Sequence, residues 1–229
     1  MRRYRGNILR LLRNFRSKKV AVLGDALLDL YIVGEVERIS PEAPVPVVVE
    51  RGRRAILGGA GNVAANIASL GGVVTLLSVL GSDNEGKIIR SLCRTLRIKP
   101  NCVEDKSRPT TLKMRPMARR HQLLRIDRES TRAIAGKVEN QLIRFIHRLP
   151  HQHIFVISDY AKGCVTKRVV RAAKDRFGAD RIIAGIKPQN AAIYEGVACI
   201  TMNLKECYDL FGIRAEAPGT AAQAVKNLS

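Results

Sequence analysis

An α/β domain on a mostly parallel sheet, with helices on both faces, is the fold this sequence predicts. Three observations predict it. Short apolar runs rich in β-branched residues recur, at Val20-Ala21-Val22-Leu23, Val73 to Leu80 and Ile154-Phe155-Val156-Ile157. Stretches of helical periodicity lie between them, so strands and helices alternate. Glycine or a carboxylate follows the strands, at Gly24-Asp25, Gly81 and Ser158-Asp159. Ligands of open α/β sheets bind at those strand ends.

The elements follow in order. Residues 1–19 carry eight basic side chains and no acidic one. That composition also suits a transit peptide. Ile8, Leu11, Leu12 and Phe15 fall at helical spacing, however, and predict a basic N-terminal helix. Val20 to Leu23 reads as a buried strand. Asp25 and Asp29 come next, and Asp25 suits a ligand group or a turn cap equally. Prolines beside a β-branched run make residues 31–50 a flap of edge strands. Gly58-Gly59-Ala60-Gly61 forms a turn in which backbone can approach a ligand. The small-residue helix behind it, from Asn62, would turn free N–H groups toward that ligand.

Val73 to Leu80 is a second buried strand, and Ser82 to Glu85 supplies N-cap residues for a helix to about Leu96. Arg108 to Arg115 reads as a strand, Lys137 to Leu149 as a helix, and Ile154 to Ile157 as a central strand. A crossover helix over Arg168 to Phe177 and strands at Arg181 to Ala184 and Val197 to Thr201 complete the reading.

Composition bounds the function. The apolar content of 46% and charged content of 26% are those of a globular chain, and 229 residues suffice for a sizeable core. No apolar run is long enough for a membrane helix. Forty basic against twenty acidic residues give a net charge of +20, which attracts polyanions. With 4% aromatic residues and no Trp, stacking platforms for bases are scarce, so only non-specific nucleic-acid binding is expected. Cys93, Cys102, Cys164, Cys199 and Cys207 form no C-x-x-C pair, which points to free thiols in a reducing cytoplasm. His147, His151 and His153 lack companion ligands and read as a solvated loop.

Five blocks in order resemble the PfkB/ribokinase family of sugar kinases: Gly24-Asp25 to Asp29, Arg38-Ile39-Ser40-Pro41-Glu42-Ala43-Pro44-Val45-Pro46, Gly58-Gly59-Ala60-Gly61-Asn62, Gln122-Leu123-Leu124-Arg125-Ile126-Asp127, and Ser158-Asp159-Tyr160-Ala161-Lys162-Gly163. The resemblance runs from about Val20 to about Gly212. The Ile-Ser-Pro-Glu-Ala-Pro-Val-Pro segment is similar to the heptose 7-phosphate kinase branch, the kinase half of bifunctional ADP-heptose synthase. It implies a single ribokinase-like domain with a β flap, no nucleotidyltransferase domain, and a cytoplasmic location. The implied activity is ATP-dependent phosphorylation of the anomeric hydroxyl of D-glycero-β-D-manno-heptose 7-phosphate, for ADP-heptose and the lipopolysaccharide core. The alternatives are a remnant that binds sugar phosphate without catalysis, and a basic nucleic-acid-binding protein.

Site residues carry over by position. Asp29, Gly58, Gly59 and Asn62 match sugar-contacting positions, and Lys113, Arg115 and Arg119, with Arg125 beside them, match the segment that meets the sugar's own phosphate. Guanidinium suits that task because its planar fork pairs two phosphate oxygens. Lys162, Lys187, Asn203 and Glu206 match nucleotide-phosphate positions, with Asn203 and Glu206 organising Mg²⁺ indirectly. ATP and a sugar phosphate are the implied partners, with a homodimer through the flap or a complementing C-terminal fragment. Three departures stand out. Arg120 and His121 replace amides, and Gly185-Ile186-Lys187 replaces Asp-Pro-Lys. The Gly-Ala-Gly-Asp that bears the family's base does not occur, so the chain reads as a kinase domain lacking its last strands and helices, with no catalytic residue assigned and an apolar sheet edge exposed.

Overall fold

A computed structural model describes residues 14–151 and 154–212. The expected N-terminal helix and His153 fall largely or wholly outside that range. Six strands form the central sheet: β1 (Lys19–Gly24), β4 (Val73–Leu80), β5 (Lys99–Glu104), β9 (Ile154–Ser158), β10 (Ile182–Gly185) and β11 (Cys199–Thr201), in the order β11-β10-β9-β1-β4-β5. Every pairing in it is parallel. Among the described residues five α-helices accompany the strands: α1 (Ala60–Ser69), α2 (Asn84–Thr95), α3 (Gly136–Arg148), α4 (Lys167–Phe177) and α5 (Leu204–Phe211).

Alternation along the strands separates two cores. In β1, Ala21 and Leu23 join Leu77, Phe155 and Ile157 beneath α3 and α4, which contribute Leu142, Ile146, Val169 and Phe177. Val20 and Val22 point the other way, with Leu76, and pack on Ala60 and Ala64 of α1 and Ile89 and Cys93 of α2. One strand thereby feeds both faces, because successive side chains leave a strand on opposite sides.

The expected flap is larger than the sequence suggests. β2 (Ala26–Ile39) and β3 (Pro46–Gly59) are each fourteen residues long and pair antiparallel. β6 (Leu112–Ala118) lies parallel to β2, and β7 (His121–Gln122) and β8 (Ile126–Arg128) pair with β6, giving a five-stranded second sheet. The strand expected at Arg108 to Arg115 therefore begins at Leu112. β5 is an element the sequence reading lacks.

The chain passes from one sheet to the other at Asp25. Ser78 of β4 holds that crossing: its hydroxyl donates to the Gly24 carbonyl at 2.7 Å and accepts from the Ala26 N–H at 3.0 Å. Among the described residues β11 pairs only with β10, and α5 buries none of its side chains. No helix among them is long and apolar enough to cross a membrane.

Candidate active site

On the second sheet, parallel pairing of β2 with β6 places Asp29 beside Lys113 and Tyr31 beside Arg115. The Arg115 guanidinium reaches back to the Asp29 carboxylate and lies 5.4 Å over the Tyr31 ring. Gly58 makes room for this pair, since a Cβ there would collide with Asp29 Oδ2. Gly59 closes the turn at φ 56°, where L side chains are strained, and its missing Cβ spares the Asp25 carbonyl. Lys113 Nζ donates to Asp127 Oδ2 at 3.1 Å, and Arg125 Nε to Asp127 Oδ1 at 2.8 Å. Burial raises the Asp127 carboxyl, but the hydrogen bonds from Lys113 and Arg125 outweigh it and hold the carboxyl below its ordinary value.

Glu129 joins this cluster to the loop after β9. Lys162 Nζ donates to Glu129 Oε1 at 2.6 Å, and Lys113 Nζ stands 3.9 Å from Oε2. That second oxygen is buried and accepts no hydrogen bond from any described residue.

Residues 159–164 are pinned from three sides. Asp25 Oδ2 accepts from the N–H groups of Tyr160 (2.8 Å) and Lys162 (3.1 Å), and Oδ1 from that of Cys164 (3.0 Å). Burial still pushes the Asp25 carboxyl above its ordinary value, with the nearby Asp159 charge adding to the rise. Asp159 itself accepts from Ala161 N–H (2.7 Å), Asn190 Nδ2 (2.7 Å) and Tyr194 Oη (2.8 Å). From below, the buried Arg108 pairs with Asp105 at 3.0 Å and donates to the carbonyls of Lys162 and Arg132.

A cleft of about 520 Å³ opens at the C-terminal ends of β9, β10 and β11, lined among others by Asp159, Tyr160, Lys187, Asn203 and Glu206. Lys187 pairs with Glu206 and lies 5.3 Å from the Tyr160 ring centroid. Asn203 caps α5: its side chain accepts from Glu206 N–H at 2.8 Å, while Glu206 Oε2 accepts from Asn203 N–H at 2.9 Å. The Asn-x-x-Glu motif is thus a capping box. Burial raises the Glu206 carboxyl, and the partners Lys187 and Asn203 bring it below its ordinary value. Both Glu206 oxygens are engaged, so a metal ion would meet this carboxylate through water more readily than directly. Among the described residues no group of three His, Cys, Asp or Glu side chains is placed to hold a metal.

This arrangement can be set beside known proteins. Residues 17–229 match the pfkB family carbohydrate kinase. The chain belongs to that family. It is 41% identical over 204 residues to the bifunctional protein HldE of Caulobacter vibrioides, a match covering 88% of this chain and 42% of the relative. The pfkB-family chain here thus spans less than half the length of the curated relatives it matches. Among solved structures, phosphofructokinase-2 from Escherichia coli superposes with a TM-score of 0.73 at 19% identity, over 93% of this chain and 69% of that one. Arabidopsis thaliana ribokinase complexed with ribose and ATP gives 0.67 at 17%, over 92% and 68%. At such identities these two show the ribokinase-like fold.

Within this pfkB-family fold, Asp29, Gly58, Lys113 and Arg115 come together, and Lys187, Asn203 and Glu206 come together. Lys162 and Arg119 are placed differently from expectation, while Asn62 stays beside the glycine turn. Lys162 turns its ammonium to Glu129 in the first group and not toward Lys187. Arg119 is exposed in the β6–β7 turn at φ 53°, its N–H donating to the Gly34 carbonyl, apart from Asp29. Asn62 is exposed on the first turn of α1. Sequence reasoning missed Glu129 and Arg108. Glu129 sits two residues past Asp127, where alternation on a strand would have put both carboxylates on one face.

Proposed function

We propose that this chain provides the sugar-phosphate and nucleotide sites of a carbohydrate kinase of the heptose 7-phosphate kinase type. The observation that carries the reading is the contact chain Asp29–Arg115, Lys113–Glu129–Lys162, which ends in the same short loop whose Tyr160 lines the strand-end cleft. A sugar held by its hydroxyls at Asp29 would offer its own phosphate to Lys113 and Arg115, where a planar guanidinium pairs two oxygens. The unpartnered Glu129 oxygen is an acceptor for a further hydroxyl.

The nucleotide phosphates would lie in the cleft by Lys187. Asn203 and Glu206 would meet the waters of an Mg²⁺ accompanying ATP, and the ion would supply charge neutralisation between the phosphates. Transfer would carry the γ-phosphoryl group from ATP to the anomeric hydroxyl. Positioning and charge neutralisation are what these residues offer to that step. No base is assigned among them. We also place the domain as one kinase unit, with the second sheet as its lid and as the surface for a homodimer. The family match favours this reading over a non-catalytic remnant or a nucleic-acid-binding protein.

Calorimetry with D-glycero-D-manno-heptose 7-phosphate tests it. Binding is expected, and Asp29→Asn should weaken it by about tenfold or more, the scale of one hydrogen bond to a charged group. Absence of binding in a folded sample, or identical affinity in the variant, would sink the proposal.

A further inference from the structure

We propose that the N-terminal end of the central sheet is a second anion site, for a small ligand carrying two or more phosphate groups. It lies at the opposite end of the strands from the candidate active site and does not depend on that reading. Parallel register builds it. Lys19 pairs with Val73, Thr75 with Lys99, and Leu77 with Asn101. Paired residues of a parallel sheet face the same side, and so do residues two apart on one strand. Lys19, Thr75, Lys99 and Asn101 therefore share the face that carries α3. The last turn of α3 adds Phe145 and Arg148, and these six side chains border a cleft of about 440 Å³.

Three features mark the cleft as built for an anion. Its lining holds three cations and no carboxylate. None of Lys19, Lys99 and Arg148 forms an ion pair or a side-chain hydrogen bond among the described residues, so all three charges are available to a ligand. Thr75 is only 6% exposed, lines the cleft, and its hydroxyl has no partner among those residues. That hydroxyl stays reachable for a ligand, since Glu129 Oε2 is the one fully buried side-chain polar atom left unpartnered among the described residues. The carbonyl end of α3 would oppose an anion. Arg176 offsets part of that by donating from Nε to the carbonyl of the C-cap residue Leu149 at 3.0 Å.

Guanidinium, two ammonium groups, a hydroxyl and an amide are the donor set of a phosphate site. Three positive charges and this volume suit a diphosphate better than a single small anion.

Pyrophosphate, titrated calorimetrically into the full chain without magnesium, is the probe, with sulfate at matched ionic strength as reference. Pyrophosphate should bind at least about tenfold more tightly than sulfate. Lys99→Ala and Arg148→Ala should each weaken it about tenfold, the effect of one lost charge-assisted hydrogen bond. Both side chains are exposed and unpaired, so the variants should melt as the parent does, and Thr75→Val, which keeps the shape, should weaken binding too. Lys113→Ala and Lys187→Ala should leave it unchanged. Equal affinity for sulfate and pyrophosphate, or a loss caused by Lys113→Ala or Lys187→Ala and not by Lys99→Ala or Arg148→Ala, overturns the proposal.

Discussion

Arg108 falls in the sequence at the start of an expected strand, and the fold makes it an interior clamp. Its side chain is 6% exposed and ties Asp105, the Lys162 carbonyl and the Arg132 carbonyl together. A buried charge of this kind depends on its partners, and removing it leaves the buried Asp105 carboxylate with only the Ser107 N–H and hydroxyl as donors. Arg108→Ala should lower unfolding stability by about 3–5 kcal/mol in a denaturant titration. Arg108→Lys should recover little of it, because an ammonium lacks the fork that reaches three acceptors. A loss below about 1 kcal/mol, as for an exposed ion pair, would contradict the clamp. Asp25 is the matching case among acids. The sequence left it between ligand and cap, and its three N–H partners make it the cap of a loop more than 130 residues away.

At the scale of elements, Asn203-Leu204-Lys205-Glu206 has one role in the fold and one in the proposed function, and a substitution can separate them. As a capping box it starts α5, and as a cleft-lining pair it is the proposed meeting point with nucleotide phosphates. Serine is as good an N-cap as asparagine, whereas alanine costs about 1 kcal/mol. Asn203→Ser should therefore leave thermal stability near that of the parent while weakening Mg-ATP binding, measured by calorimetry. ATP affinity that is unchanged in Asn203→Ser would reduce the residue to a cap.

Strand content shows where local pattern suffices. β1, β4 and β9 were legible because each packs against strands on both edges and layers on both faces, which demands a continuous apolar run. β5 was not, because it is the edge of the sheet: Pro100 is tolerated there and only Cys102 and Val103 are buried. β2 looked like a loop and a flap because Asp29 and Gly34 interrupt it. Pairing with β3 on one side and β6 on the other makes it a strand regardless.

For the whole molecule, charge sets the response to acid. Asp83, Asp105, Asp127 and Glu206 are each raised by burial and brought below their ordinary values by hydrogen bonds and nearby cations. A carboxyl depressed in the folded state contributes stability that is present above its unfolded value and lost as pH falls through its folded one. Asp25 has the opposite sign. Its raised value contributes below the unfolded value of 3.8 and is lost as pH rises through the folded one. Four groups outweigh one, and protonation adds to the repulsion of a chain already at +20. The melting temperature should therefore fall between roughly pH 5 and pH 3. Asp105→Asn should shrink the fall and Asp25→Asn should steepen it. A melting temperature that rises on acidification would contradict the assignment.

The order of helices and buried strands, the glycine turn before α1 and the identity of the family were all readable from the chain alone. Periodicity, turn chemistry and short motifs are written within about a dozen neighbouring residues, so they need no fold to be recognised. The tertiary structure alone decided that Lys162 serves Glu129, that Arg108 is buried, that Arg119 stands apart from Asp29, and that Lys19, Lys99 and Arg148 meet at the far end of the sheet. Those outcomes depend on strand order and register between segments far apart in the chain. No local pattern encodes which strand becomes whose neighbour.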